Sequence, residues 1–247
     1  MKREALVAEL LSTPWALMPE RTAAFAGVIA HWYAGTPRAM DDDYGSQKSA
    51  YEMRREQAAR LSAGGVAVVC CYGVIVQRAG MMTEWCGGTS TQQFGAALDA
   101  AMADETVGQI LIDVDSPGGS VYGVQELGDQ IAAARKVKPV VASVNSLAAS
   151  AGYWLAAQAG EVYVTPGGEA GSIGVWMAHE DWSAAMAEQG VKVTLISSGK
   201  HKVEGNPYEP LSEEARTFLQ GRTDEYYAAF TKAVAKGRGV PVTAETC

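Results

Sequence analysis

Pro139-Val-Val-Ala-Ser-Val144 runs straight into Asn145-Ser-Leu-Ala-Ala-Ser150-Ala-Gly-Tyr-Trp-Leu-Ala-Ala157 with no ordinary turn sequence between them. The first run reads as a buried strand, and the second, past its small residues, as an apolar helix. A strand that passes abruptly into a helix can present one side chain beside free backbone N–H groups. Ser150 stands at that junction. The pattern is not G-x-S-x-G, so by themselves Ala148, Ala149, Ser150, Ala151 and Gly152 read equally well as a helix packing closely.

Working outward, strands are expected at residues 66–72 and 74–76, as a pair buried on both faces, and at 107–114, 161–165 and 191–196. Helices are expected at 91–103, 121–136 and near 181–188. A long helix follows Ser212, with Glu213 and Glu214 favourably placed in its first turn. Strands alternating with helices imply an α/β fold on a mostly parallel sheet, with a ligand-sized cleft at the carboxyl ends of the strands. Residues 2–11 and 20–34 read as short helices separated by Ser12-Thr-Pro14 and Pro19-Glu20, and 47–61 as a charged helix. The expected organisation is therefore a helical N-terminal extension and linker over 1–62, and a main domain over 63–247 that stops short of its natural end.

Composition narrows the function classes. A net charge of −8 without a dense lysine and arginine stripe argues against a nucleic-acid partner. The apolar stretch at 23–33 is far shorter than the roughly 20 residues a membrane span needs and contains His31. The start of the chain has no signal-peptide pattern. Cys70, Cys71, Cys86 and Cys247 lack zinc-site spacing and read as reduced structural thiols in a cytosolic setting. Asp41, Asp42 and Asp43 read as a solvated acidic run, so no metal and no cofactor is expected.

If Ser150 is a nucleophile, it needs a base and donors for an oxyanion. The histidines are His31, His179 and His201, and none has strong support. Lysine is the alternative: keeping it neutral at pH 7 costs about 4.6 kcal/mol, which burial beside apolar walls can largely offset. In Ser198-Gly-Lys-His-Lys202, extended backbone would put Lys200 and Lys202 on one side and His201 on the other, without choosing between the lysines. Asp113-Val-Asp-Ser-Pro-Gly-Gly-Ser120 carries a glycine turn at which unobstructed backbone can approach a substrate.

Ser150 in its small-residue setting, Ser116-Pro-Gly-Gly119, Gly171-Ser-Ile-Gly174 and Gly199-Lys-His-Lys202 together resemble the signal peptide peptidase A family of serine proteases, in particular its phage branch of capsid-maturation (prohead) proteases. The resemblance covers roughly residues 64–240. It implies the Clp protease and crotonase type of fold, a spiral of β-β-α units. It implies Ser150 as nucleophile, and Lys202, at the end of the Gly-x-x-Lys pattern, as general base. Ser172 would orient that lysine. The oxyanion donors would be Gly119, with Gly118 in the same turn, and an N–H near Ser150 or Ala151. Capsid, portal or scaffold proteins would be the substrates, inside proheads assembling in the host cytoplasm. A homo-oligomer is also implied, since in some relatives the lysine of one subunit serves the serine of its neighbour.

Other readings use the same residues. A housekeeping protease resembling the signal peptide peptidases would share the serine and lysine. A crotonase-like acyl-CoA enzyme would use the glycine turn as its oxyanion hole but leaves the serine and lysine unexplained. A catalytically silent scaffold component would use neither.

Overall fold

The computed structural model describes residues 13–18, 44–61, 65–80, 83 and 87–241. The helices expected at 2–11 and 20–34, and His31, Asp41, Asp42, Asp43, Cys86 and Cys247, lie outside the described residues. The chain order is β1 (Trp15–Leu17), α1 (Tyr44–Leu61), β2 (Val66–Tyr72), β3 (Ile75–Val76), β4 (Thr89–Ser90), α2 (Thr91–Ala103), β5 (Gln109–Ser116) and β6 (Gly118–Ser120). It continues with α3 (Val124–Ala134), β7 (Val140–Ala149), α4 (Ala151–Ala156), β8 (Glu161–Val164), β9 (Glu169–Gly171), α5 (Ser183–Glu188) and α6 (Glu213–Arg238).

The expected α/β class is what forms. One sheet runs β2-β5-β7-β8, with β9 also on β7, and every one of these pairings is parallel. A second sheet runs β1-β6-β3-β4. The run 66–76 is therefore not the strand pair expected from its apolar content: β2 pairs with β5 and β3 with β4 and β6. Gly73, at φ +63°, turns the chain from one sheet into the other.

Strand β5 shows why the sheet lies where it does. Ile110, Ile112 and Val114 are fully buried in the main core, while Leu111, Asp113 and Asp115 on the other face are only half-buried. That second face meets α1. Arg54 reaches Asp115 at 2.7 Å and Asp113 at 3.3 Å, its guanidinium lies over the Tyr72 ring, and Tyr51 stacks on Tyr72. A charged helix can cover a sheet here because the sheet face itself carries carboxylates.

Helix α6 begins with Ser212, whose hydroxyl accepts the Ala215 N–H at 3.1 Å. It ends at Gly239 in the left-handed conformation. Its Phe230 stacks on Trp154 of α4 at 4.6 Å between centroids. Arg135 donates to the carbonyls of Gln158, Ala159 and Gly237, tying the ends of α4 and α6 to α3.

Two expectations fail in the stretch before α6. Residues 191–196 form no strand, and Ile196 is 95% exposed. Alternating apolar residues make a strand only where a neighbouring edge accepts their backbone groups, and these find none among the described residues. Residues 199–205 form turns in place of extended backbone, with the Lys202 N–H donating to the Gly199 carbonyl at 3.2 Å. The alternation argument about Lys200, His201 and Lys202 therefore does not apply. No helix among the described residues is long and apolar enough to cross a membrane.

Candidate active site

Strands β5 and β7 both deliver their carboxyl ends to one place. β5 ends at Ser116 and leads through Pro117 into β6, and β7 ends at Ala149 and leads into α4 with no intervening loop. Ser150 takes up that change of direction alone, at φ +54° and ψ −120°, a conformation that costs energy for a residue with a Cβ. Its surroundings hold it there: its N–H donates to the Gly171 carbonyl at 2.7 Å, and its carbonyl accepts the Trp154 N–H at 2.9 Å.

Two glycines allow the close approach. A Cβ on Gly152 would lie 3.1 Å from the Ser116 carbonyl oxygen, so α4 starts directly against the end of β5. A Cβ on Gly118 would lie 2.9 Å from the Ser150 Cβ, so the glycine turn and the serine share one small space. The sequence alone left Gly152 open between packing and chemistry, and here it serves packing around the serine.

The Ser150 side chain is buried, and its hydroxyl lies 3.5 Å from the Gly174 carbonyl, at the outer limit of a hydrogen bond. The loop that includes Ser172 is thus beside Ser150, brought there by β9, whose Gly171 pairs with Ala149. Ser172 itself is exposed, at φ +55°. Ala151, the first residue of α4, is buried.

The glycine turn is held by a residue the sequence reading gave no role. The Ser116 hydroxyl donates to the Gly73 carbonyl at 2.7 Å and accepts the Gly118 N–H at 3.2 Å. The Gly118 N–H is thereby engaged, while Gly119 pairs with Ala16 of β1 and Ile75 of β3. A buried serine two residues before the glycines was the available signal.

The basic residues stand apart. Lys202 is exposed in its turn, and its ammonium forms no hydrogen bond or ion pair among the described residues. Lys200 pairs with Glu214 at 2.8 Å, and His201 faces Glu204 at 2.9 Å, both at the surface. The side chain of His179 meets the Asn206 carbonyl at 3.0 Å. Fold and glycines therefore assemble Ser150, Gly118, Gly119 and the Ser172 loop, while Lys202 stays outside that group in the single chain.

Residues 132–246 match the family described as Peptidase family S49. That span includes Ser150, Ser172 and Lys202 and leaves the Gly118-Gly119 turn outside it. The chain is 39% identical over 202 residues to the capsid assembly protease C of Escherichia phage lambda, covering 82% of this chain and 44% of that protein. It is 41% identical over 182 residues to the head-tail preconnector protein GP5 of Enterobacteria phage P21, covering 74% of this chain and 36% of that protein. The chain thus spans less than half the length of either relative. Among solved structures, a ClpP1 mutant from Listeria monocytogenes aligns at 15% identity and a TM-score of 0.38, over 74% of this chain and 78% of that one. The chain is thus a relative of the phage branch of the signal peptide peptidase A proteases, with its Peptidase family S49 domain at residues 132–246.

Proposed function

We propose that this chain is the catalytic part of a serine endopeptidase that cleaves capsid, portal or scaffold proteins while a phage prohead matures in its host. The observation that carries the proposal is the backbone of Ser150: a non-glycine residue at φ +54° where strand passes into helix, against a glycine turn. Strained residues that the surrounding structure over-determines cluster at functional sites. The naming of the two phage relatives as a capsid assembly protease and a head-tail preconnector protein supports the substrate class.

In this reading the Ser150 hydroxyl attacks a peptide carbonyl and passes its proton to the neutral amine of Lys202. The Gly119 N–H and an N–H at the start of α4 hold the oxyanion, and the protonated lysine then gives its proton to the departing amine. Water, deprotonated by the same lysine, releases the acyl group from Ser150. Ser172 offers a hydroxyl to orient the amine. The surface position of Lys202 in the single chain requires that substrate, chain movement or a second subunit bring an amine to Ser150. The family resemblance implies that in some relatives a neighbouring subunit does this, which is why an oligomer belongs to the proposal.

The test is mass spectrometry of the full-length protein co-expressed with its capsid partners. Wild type yields defined cleavage products and Ser150→Ala yields none. Lys202→Ala loses cleavage while Lys200→Ala keeps it, since Lys200 is committed to Glu214 at the surface. Cleavage by Lys202→Ala together with its loss in His201→Ala would replace the lysine with a histidine.

The second reading is a silent scaffold component, favoured by the exposure of Lys202. It predicts that Ser150 takes no fluorophosphonate in any assembly state.

A further inference from the structure

Residues 13–18 belong by sequence to the extension, yet they are threaded through the middle of the site. Thr13, Pro14, Trp15, Ala16 and Leu17 are all buried, Ala16 completely. Strand β1 lies antiparallel to β6, with Trp15 opposite Ser120, Ala16 opposite Gly119 and Leu17 opposite Gly118. The next pairs continue the ladder: the Val121 N–H donates to the Pro14 carbonyl at 3.1 Å, and the Met18 N–H to the Pro117 carbonyl at 3.2 Å.

The other edge of β1 is taken too. Trp15 and Trp176 exchange N–H···O bonds of 3.0 Å in both directions, and the Trp176 indole N–H donates to the Leu17 carbonyl at 2.9 Å. Backbone groups alternate sides along a strand. Trp15 and Leu17 therefore face Trp176, while Pro14, Ala16 and Met18 face β6, which directs the Ala16 carbonyl at the backbone of Gly119. That carbonyl oxygen lies 2.1 Å from the point a Gly118 Cβ would occupy, and the Ser150 Cβ lies 2.9 Å from the same point. A peptide carbonyl of β1 thus lies beside both Ser150 and the backbone of Gly119.

We propose that residues 13–18 are an intramolecular blocking peptide, seated in the groove where a substrate strand would lie, with Ala16 in the place of the residue whose carbonyl is attacked. The proposal rests on Ser150 being the nucleophile. Three observations favour a blocking strand over an ordinary member of the sheet. It is three residues long, it bridges two elements that do not otherwise pair, and its Ala16 carbonyl lies beside the glycine turn that closes on Ser150. While it is seated, Ser150 is 1% exposed. Access requires that the strand leave, and the affinity for another peptide falls in proportion to the fraction of molecules with the groove open.

The test uses the full chain and two readouts. In Ser150→Ala protein, a fluorescein-labelled peptide with the sequence of residues 13–18 is titrated with and without the added change Ala16→Pro. Proline removes an N–H that faces β6 and weakens the seated strand. The expected result is a Kd at least tenfold lower with Ala16→Pro. In protein that keeps Ser150, Ala16→Pro should raise the rate of fluorophosphonate labelling at least tenfold.

Equal peptide affinity with and without Ala16→Pro, in proteins with matching circular dichroism, overturns the proposal. If Ala16→Pro fails to fold, Trp15→Ser takes its place with the same expectations. Tighter peptide binding without any labelling of Ser150 upholds the blocking strand and removes the nucleophile from the account.

Discussion

Ser116 and Gly118 are joined side chain to backbone, the serine hydroxyl accepting the Gly118 N–H at 3.2 Å while donating to Gly73 at 2.7 Å. One buried hydroxyl thus sets the glycine turn against the chain that crosses between the two sheets. Ser116→Ala leaves the Gly118 N–H and the Gly73 carbonyl without that partner, at a cost of about 1–3 kcal/mol. Thermal unfolding should shift down by about 2–4 °C per kcal/mol. If the turn holds the oxyanion as proposed, kcat on a peptide substrate should fall with little change in KM, because an oxyanion donor acts in the transition state and not on the bound ground state. A rise in KM with kcat intact would make Ser116 a substrate-binding support instead.

Gly237 and Gly221 lie in the same helix and should answer an alanine oppositely. At Gly221 nothing lies within 4 Å of a new Cβ, so Gly221→Ala should stabilise by roughly 1 kcal/mol through helix propensity alone. At Gly237 the new Cβ would stand 2.1 Å from the Ala157 carbonyl oxygen, which is backbone and cannot swing aside. Gly237→Ala should destabilise by about 1–3 kcal/mol as α6 is pushed off α4. Urea unfolding of the two variants measures both signs.

Cys71 is fully buried at the edge of the main sheet, and burial pushes its thiol up to about 12, from 9.0 in water. The folded chain keeps the proton while the unfolded chain gives it up from about pH 9. This contribution to stability is complete below pH 9 and is lost as pH rises toward 12. The native protein should leave Cys71 unmodified by iodoacetamide at pH 8, and denatured protein should react. Rapid native labelling at Cys71 would show that β2 opens readily.

Arg54 holds α1 to the sheet through Asp113 and Asp115 and by stacking over Tyr72. The Tyr72 phenol is pushed up by burial and by its hydrogen bond to Asp113, so it stays neutral and donates to that carboxylate. The Arg54 pairs are partly open to water, so screening reduces their worth, and Arg54→Met should cost about 1 kcal/mol. The loss should shrink in 1 M salt, where the pairs of the parent protein are already screened. Limited proteolysis should cut α1 faster in the variant.

How much of this was legible in the sequence depends on the range of the interaction concerned. The strand before Ser150, the central strand β5 and the Ser212 cap of α6 follow from neighbours a few residues apart, and all of them form. The split of residues 66–76 between two sheets was not legible. An apolar run says that backbone will be buried, but only the positions of β5 and β6 say against what. Residues 191–196 carry the apolar content of a strand, yet without an edge to join they remain exposed.

Taken alone, the order of amino acids determined the alternation of strands and helices, the place of Ser150 at a strand-to-helix junction and the glycine turn upstream of it. These are short-range consequences of side-chain size, periodicity and backbone freedom. Tertiary structure alone decided that Gly118 and Gly152 close on Ser150 and Ser116, that Lys202 stands apart, and that Trp15-Ala-Leu17 fills the space between β6 and Trp176. The reason is that the four residues between Pro14 and Pro19 have no local signature strong enough to name a partner. Their pairing is selected by unsatisfied backbone groups on two edges that only the folded chain brings together.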